Sequence, residues 1–191
     1  MRLTIYCILI LCFAEVLPQS INISNRGENE TQTFIDIGSK LYLINTATTM
    51  NWFNALLYCR SYDSDLAVIE SAAEMNALNF YLTTNEGHIG KNFWLGLTDL
   101  AEEGKFMSLK DGRPMRYAKW STDQPDNASQ NEGCVHLWAY KNIFHMNDIN
   151  CMTKFYAICE LRQPKKTCDV SDLKNFMERF VQHTNVPNCQ N

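Results

Sequence analysis

The chain has 191 residues, of which 46% are hydrophobic and 12% aromatic, and its formal net charge is −4. This length fits one domain with a short extension, and the aromatic content indicates a packed core, which excludes a wholly disordered protein. The mild acidity argues against a nucleic-acid-binding protein, because such proteins normally present a basic face to the phosphates.

The first twenty residues have the pattern of a secretory signal peptide. Met1 and Arg2 precede an apolar run, Leu3–Phe13, and small residues follow at Ala14 and Ser20. A bilayer span needs about 20 apolar residues, so this run is too short to cross a membrane. A buried N-terminal strand is the other interpretation of the run. We expect a secreted, extracellular protein without a membrane anchor, cleaved between residues 14 and 20.

A polar leader, residues 21–33, precedes the first elements of a globular domain. The segment KLYLI, Lys40–Ile44, predicts a strand. Residues 51–61 carry apolar side chains at helical spacing and predict an amphipathic helix with a buried face of Trp52, Ala55, Leu56 and Cys59. A second helix is predicted from Ser71, which forms a capping box with Glu74 in which each side chain accepts from the other's backbone N–H.

After Asn92 the helical spacing disappears, and short apolar segments alternate with loops rich in Asp, Asn, Gly and Pro. This pattern predicts strands joined by long loops. The predicted strands are Phe93–Leu97, Val135–Tyr140 and Phe155–Cys159. Two helices followed by a strand-rich half indicate an α+β fold.

Residues 162–191 differ from the rest of the chain and predict a helical C-terminal extension. A basic linker leads into Ser171–His183, whose apolar residues have helical spacing, and Cys168 and Cys189 bracket this segment. We expect these two cysteines to pair, and closing a loop of this size contributes on the order of 3 kcal/mol. The apolar face of the helix packs either on the main domain or on a second chain as a homodimer contact, and the sequence leaves both open.

Cysteine usage agrees with secretion. Cys7 and Cys12 leave with the signal peptide, and an even number remains, which predicts three disulfides among fifteen arithmetically allowed pairings of Cys59, Cys134, Cys151, Cys159, Cys168 and Cys189. The chain has no C-x-x-C or H-E-x-x-H pattern, which argues against zinc. Three Asn-x-Ser/Thr sequons fit passage through the secretory pathway, at Asn22, Asn29 and Asn127.

Side-chain oxygens are concentrated in two stretches, residues 120–134 and 146–151. The candidate ligands there are Gln124, Asp126, Glu132, Asn147 and Asp148. Ca²⁺ takes 6–8 oxygen ligands and accepts a mixture of carboxylates and amides. No softer ligand is offered, which argues against zinc or copper. The alternative interpretation is that these loops are polar because they face water.

Four features together resemble a C-type lectin domain, over residues 34–161. They are the segment FWLGL at 93–97, the triplet QPD at 124–126, the pair Asn147-Asp148, and the order of the four cysteines between 59 and 159. The resemblance implies two helices with small antiparallel sheets and long loops, in the short form without an extra N-terminal bridge. It also implies the disulfides Cys59–Cys159 and Cys134–Cys151.

The resemblance further implies that the five candidate residues bind Ca²⁺ and a sugar together. The peptide bond before Pro125 is then cis, and the backbone carbonyl of Asp148 is a sixth candidate ligand. Two vicinal sugar hydroxyls would coordinate the ion while donating to the carboxylates and accepting from the amides of the same residues. The order Gln-Pro-Asp is associated in the family with galactose, so we expect a preference for galactose or N-acetylgalactosamine.

The chain departs from the family pattern at four places. One is Met146, which stands where a Trp commonly precedes the Asn-Asp pair. The residues directly after Asp126 lack the aromatic side chain that often stacks on galactose. Asn127 belongs to a sequon beside this ligand residue, so that a glycan there would crowd the site. An auxiliary Ca²⁺ site would use Asp99 and Glu103, but the acid expected after Glu132 is Gly133.

No catalytic pattern supports an enzyme. The chain has no G-x-S-x-G, all six remaining cysteines are expected to pair, and the histidines show no ligand spacing. Two hypotheses remain: a secreted Ca²⁺-dependent lectin for galactose-type glycans, and a protein-interaction module with a weak or blocked sugar site. Binding that galactose competes and EDTA abolishes would separate them.

Overall fold

The computed structural model describes the backbone of residues 20–22, residues 33–163 and residue 178. The rest of the expected signal peptide, most of the leader and most of the C-terminal extension lie outside these residues, as do Asn29 and the expected pair Cys168–Cys189. Glu178, inside the predicted C-terminal helix, is helical. The chain divides into two compact units, residues 1–161 and 162–191.

The described residues form two α-helices and nine strands, which is the predicted α+β class. In chain order they are β1 (Ser20–Asn22), β2 (Thr33–Ile37), β3 (Lys40–Met50), α1 (Trp52–Ser61), β4 (Ser64–Leu66), α2 (Ala72–Thr84), β5 (Phe93–Thr98), β6 (Met107–Ser108), β7 (Cys134–Tyr140), β8 (Ile143–Ile149) and β9 (Phe155–Leu161). Neither α-helix combines the length and the apolar character that a membrane span requires.

The strands join into one connected sheet in the order β1-β2-β3-β9-β5-β7-β8, with β4 paired to β9 and β6 to β5. The prediction of small antiparallel sheets differs from this arrangement in two respects, because the strands form one connected sheet and because β5 and β9 pair in parallel. Parallel neighbours need a long connection, and here the hairpin β7–β8 lies between them in the chain. The hairpin extends the sheet beyond β5 and leaves β8 at its edge.

Helix α1 follows the predicted pattern. The Asn51 side chain caps it by accepting from the Asn54 backbone N–H at 2.9 Å. Its buried residues are Trp52, Ala55 and Cys59, whereas Leu56, which we predicted on the same face, is half-buried. The Trp52 indole N–H donates to the Leu95 carbonyl at 2.8 Å, so the helix is fixed against β5.

Helix α2 begins at the predicted cap, but only half of the capping box forms. The Ser71 hydroxyl accepts from the Glu74 N–H at 3.2 Å. The Glu74 carboxylate accepts instead from the Glu70 N–H, the Tyr42 hydroxyl and the Lys40 ammonium, at 3.0, 2.6 and 2.8 Å. A buried carboxylate gains more from a phenol and an ammonium than from one amide, and the reciprocal bond to Ser71 was predicted wrongly for this reason.

Both disulfides that the resemblance implies are present, Cys59–Cys159 and Cys134–Cys151. The first joins α1 to β9. The second joins the start of β7 to the residues after β8, so it closes the open end of the hairpin. All four cysteines are buried, beside Trp94, which is fully buried in the core as part of β5.

The leader departs from the prediction at its first residues. We predicted a polar leader over residues 21–33, yet the backbone of Ser20–Asn22 pairs with β2 as an antiparallel strand. Three residues are too few to show the alternation that identifies a strand in sequence. The polar sequence around Asn22 therefore gave no signal of this pairing.

Candidate functional site

The candidate ligands come from one loop and the end of one strand. The loop that precedes β7, residues 121–133, is called the site loop here and carries Gln124, Asp126 and Glu132. Asn147 and Asp148 lie near the end of β8. The peptide bond Gln124–Pro125 is cis, as the resemblance implies.

Asp148 anchors the site loop to the sheet. Its side chain is buried, and its carboxylate accepts from the backbone N–H groups of Asp126 and Asn127, at 3.2 and 2.9 Å. Hydrogen bonds to a carboxylate are stronger than those between neutral groups. The residue therefore has two roles, as a candidate ligand and as the support of the triplet.

A second set of hydrogen bonds closes the loop on itself. The Asn127 side-chain oxygen accepts from the Glu132 N–H at 3.1 Å, and the Glu132 carboxylate accepts from the Ala128 N–H at 3.0 Å. Asn127 has a positive φ of 45°, a conformation that asparagine tolerates better than most residues. The loop thus holds Glu132 close to Asp126 without help from another element.

These bonds bring the five candidates together as a group that we call the oxygen cluster: Gln124, Asp126, Glu132, Asn147 and Asp148. Carboxylate oxygens of Asp126, Glu132 and Asp148 lie within 4.8 Å of one another. One terminal atom of the Gln124 amide lies 2.6 Å from both Asn147 Oδ1 and Asp148 Oδ1, and 3.2 Å from Asp126 Oδ1. If this atom is the amide oxygen, a cation is needed among the three neighbouring oxygens to offset their mutual repulsion. If it is the amide nitrogen, it donates hydrogen bonds to them.

The cluster fits a calcium ion by its chemistry. It offers three carboxylates and two amides from residues that are exposed, half-buried and buried, and Ca²⁺ prefers this class of ligand. Burial raises the pKa of Glu132, the Ala128 N–H opposes this, and the negative charges of Asp148 and Asp126 raise it further. The repulsion among the carboxylates is the electrostatic condition that a bound cation relieves.

Asn147 is oriented by groups around it. Its Nδ2 donates to the Asp148 backbone carbonyl at 2.7 Å and lies 3.1 Å from His136 Nε2. The carbonyl is an acceptor, so the amide must present nitrogen to it and oxygen to the cluster. The same carbonyl, expected as a sixth ligand, thus has one hydrogen bond already.

His136 contacts the candidate ligand Asn147, and the sequence reasoning missed it because the histidines were examined only for metal-ligand spacing. It is buried on β7 opposite Asn147 and stacks on Phe155 with ring centroids 4.6 Å apart. Burial lowers the pKa of His136 to about 3, so the ring is neutral at physiological pH. A neutral ring accepts at one nitrogen, which makes Nε2 the acceptor for the Asn147 amide.

The auxiliary site is not assembled in the way the family pattern requires. Asp99 is buried and its Oδ2 accepts from the Gly104 N–H at 2.8 Å. A Cβ at residue 133 would lie 2.7 Å from Leu100 Cδ2, at the end of an exposed side chain that would have to move aside. Within the described residues, neither Asp99 nor Glu103 joins a group of acidic or metal-ligating side chains close enough to hold an ion.

Comparison with known proteins agrees with this geometry. Residues 48–161 match the family Lectin C-type domain. The chain is 32% identical over 161 residues to C-type lectin 37Db of Drosophila melanogaster, covering 84% of this chain and 99% of that protein. The chain belongs to the C-type lectin family. C-type lectin 16 of Aedes aegypti is 29% identical over 165 residues, with coverage of 84% and 99%.

Solved C-type lectins show the same fold. The C-type lectin CEL-I of Cucumaria echinata is 27% identical with a TM-score of 0.60, covering 70% of this chain and 97% of that one. The mouse scavenger receptor C-type lectin carbohydrate-recognition domain is 27% identical with a TM-score of 0.58, with coverage of 70% and 97%. Membership of this family supports a carbohydrate-binding lectin.

Proposed function

We propose that this C-type lectin is a secreted, Ca²⁺-dependent receptor for galactose-type glycans and not an enzyme. The observation that carries the proposal is the oxygen cluster, in which the five candidates are brought together from a loop and a strand. Five oxygen-bearing side chains that converge on one point match the ligand type, and most of the ligand number, that Ca²⁺ prefers.

Ca²⁺ would be held by Gln124, Asp126, Glu132, Asn147 and Asp148. When bound, the ion supplies coordination to two hydroxyls of a sugar. The carboxylates accept hydrogen bonds from those hydroxyls and the amides of Gln124 and Asn147 donate to them, so the same residues read the orientation of both hydroxyl groups. Three carboxylates and one divalent ion leave a charge of about −1, which suits a neutral sugar.

The preference for galactose or N-acetylgalactosamine depends on the order of the triplet. Gln124 precedes the proline and Asp126 follows it. This order places the amide on one side of the proposed ion and the carboxylate on the other. This order is associated with galactose in the family. The residues after Asp126 include no aromatic side chain to stack on the sugar, so we propose that discrimination comes from hydrogen bonding alone.

Secretion is proposed from the N-terminal apolar run and from the disulfides. Disulfides persist in oxidising compartments, and the described residues contain two, Cys59–Cys159 and Cys134–Cys151. A relative that matches this chain is a salivary C-type lectin of Aedes albopictus. Recovery of the mature protein from culture medium, with an N-terminus between residues 14 and 20, tests this part of the proposal.

The decisive test of the site is calorimetric titration with Ca²⁺ and then with galactose. Asp126→Ala should weaken Ca²⁺ binding at least about tenfold and abolish galactose binding, because it removes a charged ligand. Asn131→Ala is the matched control, since Asn131 belongs to the same loop but not to the cluster. Equal binding by the wild type and Asp126→Ala would refute the site.

A second candidate function is a protein-interaction module whose sugar site is covered by a glycan on Asn127. The observation that favours it is the position of Asn127, half-buried in the site loop and hydrogen-bonded to Glu132. Ser129→Ala removes the sequon without touching Asn127. If the glycan covers the site, this variant gains galactose binding over the wild type, whereas an unused sequon predicts no change.

A further inference from the structure

The hairpin β7–β8 has one face in the core and one face outside it. Leu137 on β7 and Phe144 on β8 are buried in the larger cluster of apolar core residues. Side chains alternate between the two faces of a strand, so the residues next to these two lie on the other face. We call the four of them toward the hairpin turn the hairpin strip: Trp138, Tyr140, Ile143 and His145.

The hairpin strip is a continuous surface that becomes open to solvent toward the turn. Tyr140 and Ile143 are 49% and 48% exposed, while Trp138 and His145 are half-buried. The ring centroids of Trp138 and Tyr140 are 6.0 Å apart, and the angle between the ring planes is 30°. Exposed apolar side chains are normally scattered singly on a protein surface, so two adjacent rings of similar tilt indicate a binding surface.

The chemistry of the strip favours an uncharged ligand with an apolar face. The strip contains no carboxylate, and the Lys141 ammonium beside it lies 5.2 Å from the Tyr140 ring centroid, a contact that fixes the orientation of this ring. The Trp138 indole N–H is buried and has no acceptor among the described residues. The strip therefore offers ring faces to a ligand and not an indole donor.

The strip begins beside the oxygen cluster. Asn147, a member of the cluster, follows His145 by two residues on β8 and pairs with His136. His136 in turn precedes Trp138 by two residues on β7. Asn147 and the strip therefore share one face of the hairpin, which runs roughly 14 Å from Asn147 to Ile143 at about 3.4 Å per residue. Groups attached to a sugar at the cluster have the strip within reach.

We propose, on the basis of the proposed function, that the hairpin strip is a subsite for the sugar units that follow the terminal galactose of an oligosaccharide. A pyranose ring has an apolar face of C–H groups and a polar edge of hydroxyls, and aromatic side chains stack on the apolar face. Trp138 and Tyr140 contact these units while the galactose stays at the oxygen cluster. The lectin then favours galactose-terminated oligosaccharides over the monosaccharide.

Calorimetric titration in millimolar Ca²⁺ with methyl β-galactoside and with a linear tetrasaccharide that ends in the same β-galactose tests this. The wild type should bind the tetrasaccharide about tenfold more tightly, as contact with two aromatic rings would give. Tyr140→Ala should bind the tetrasaccharide about fivefold more weakly than the wild type and methyl galactoside equally well, whereas Tyr140→Phe should keep the wild-type ratio. Phe80→Ala is the matched control, because Phe80 is an aromatic side chain on α2, 72% exposed and outside the strip.

Tryptophan fluorescence gives an independent readout of the contact. The tetrasaccharide should change the emission of the wild type beyond the change that methyl galactoside produces. Trp138→Phe keeps an aromatic ring in the strip but should lose this additional change, because the other tryptophans lie outside the strip. An additional change of the same size in Trp138→Phe would overturn the contact.

The two proposals fail differently. If methyl galactoside binds and the tetrasaccharide binds no more tightly, the strip is not a subsite and the proposed function stands. An equal loss of both ligands in Tyr140→Ala also overturns the assignment, because Tyr140 would then act at the galactose site itself. Dimers that disappear in Tyr140→Ala, without a gain for the tetrasaccharide in the wild type, would identify a second copy as the occupant. If methyl galactoside itself does not bind, the proposed function fails and this inference fails with it.

Discussion

His136 and Asn147 face each other across β7 and β8, and the geometry gives the histidine a specific task. The Asn147 amide donates to Asp148 O and to His136 Nε2, which leaves its oxygen directed at the cluster. Groups behind a metal ligand commonly set its orientation. We therefore regard His136 as a positioning residue for Asn147.

Replacement of His136 separates this role from packing. His136→Phe keeps the stacking on Phe155 but removes the acceptor, and should weaken Ca²⁺ binding about tenfold. His136→Gln supplies a carbonyl acceptor and should retain most of the affinity. Calcium titration of both variants, with thermal unfolding in EDTA to compare their stability, provides the test; equal Ca²⁺ affinity in both variants would contradict the role.

Asp148 and Asp126 should respond differently to removal. Asp148→Ala leaves the Asp126 and Asn127 N–H groups without their charged acceptor, and a hydrogen bond to a charged group contributes about 1.5–3 kcal/mol. Unfolding in EDTA should show this variant to be destabilised, whereas Asp126→Ala should unfold like the wild type. A loss of the same size in both variants would mean that Asp148 does not anchor the loop.

The members of the oxygen cluster were predictable from the sequence, while the residues that orient them were not. Gln124, Asp126 and Asn147 stand in short motifs that the family resemblance identifies. His136 has no motif, and its role depends on the register of a hairpin whose turn, Lys141 and Asn142, places both residues at positive φ. Because Lys141 and Asn142 form the two-residue loop of this hairpin, His136 on β7 pairs with Asn147 on β8.

At the scale of elements, an ion-pair network ties β3 and β9 to α2. The Lys40 ammonium lies 2.8 Å from Glu74, 3.1 Å from Glu70 and 3.4 Å from Glu160. Burial acts to raise the pKa of Glu70, but the hydrogen bond from Lys40 and the neighbouring cations outweigh it, so this pKa is below its ordinary value. The Lys40 ammonium therefore helps to stabilise the ionised form of the Glu70 carboxylate.

Lys40→Met should lower the free energy of unfolding by about 3 kcal/mol at neutral pH, since it leaves the buried Glu74 carboxylate without its cation. Glu70 and Glu160 keep Lys110, and Glu70 also keeps Arg116. A carboxyl with a lowered pKa stabilises the fold above its unfolded value and loses this as pH falls through the folded value. The difference from wild type should thus shrink below about pH 4.5.

Lys105→Met is the control, because its exposed pair with Glu102 contributes at most about 1 kcal/mol. Denaturant unfolding at pH 7 and pH 4 measures both; a pH-independent loss would contradict the network.

Helices were easier to predict than strand partners. The spacing around Trp52 and the cap at Ser71 are local signals, and both helices begin where these signals place them. Strand β3 continues to Met50, well beyond the predicted Ile44, because pairing with β9 supplies partners that the polar sequence does not reveal. The parallel pairing of β5 and β9 likewise depends on contacts distant in the chain.

At the scale of the whole molecule, affinity for a multivalent glycan surface requires more than one site. Extracellular Ca²⁺ modules bind the ion at about 10⁻⁴–10⁻³ M, and linking two weak sites raises avidity without new contacts. We predict that the helix which the sequence predicts over residues 171–183 supplies a homodimer contact through its apolar face. Sedimentation of the full chain should show concentration-dependent dimers, and a monomer at the highest concentration would contradict this prediction.

The central claim is that the oxygen cluster binds galactose through Ca²⁺. The most direct measurement is retention of the secreted protein on immobilised galactose in millimolar Ca²⁺, followed by elution with free sugars and with EDTA. The account predicts retention that EDTA and free galactose release and that mannose releases poorly. Passage through the column without retention, by a protein whose Asn127 carries no glycan, would contradict it.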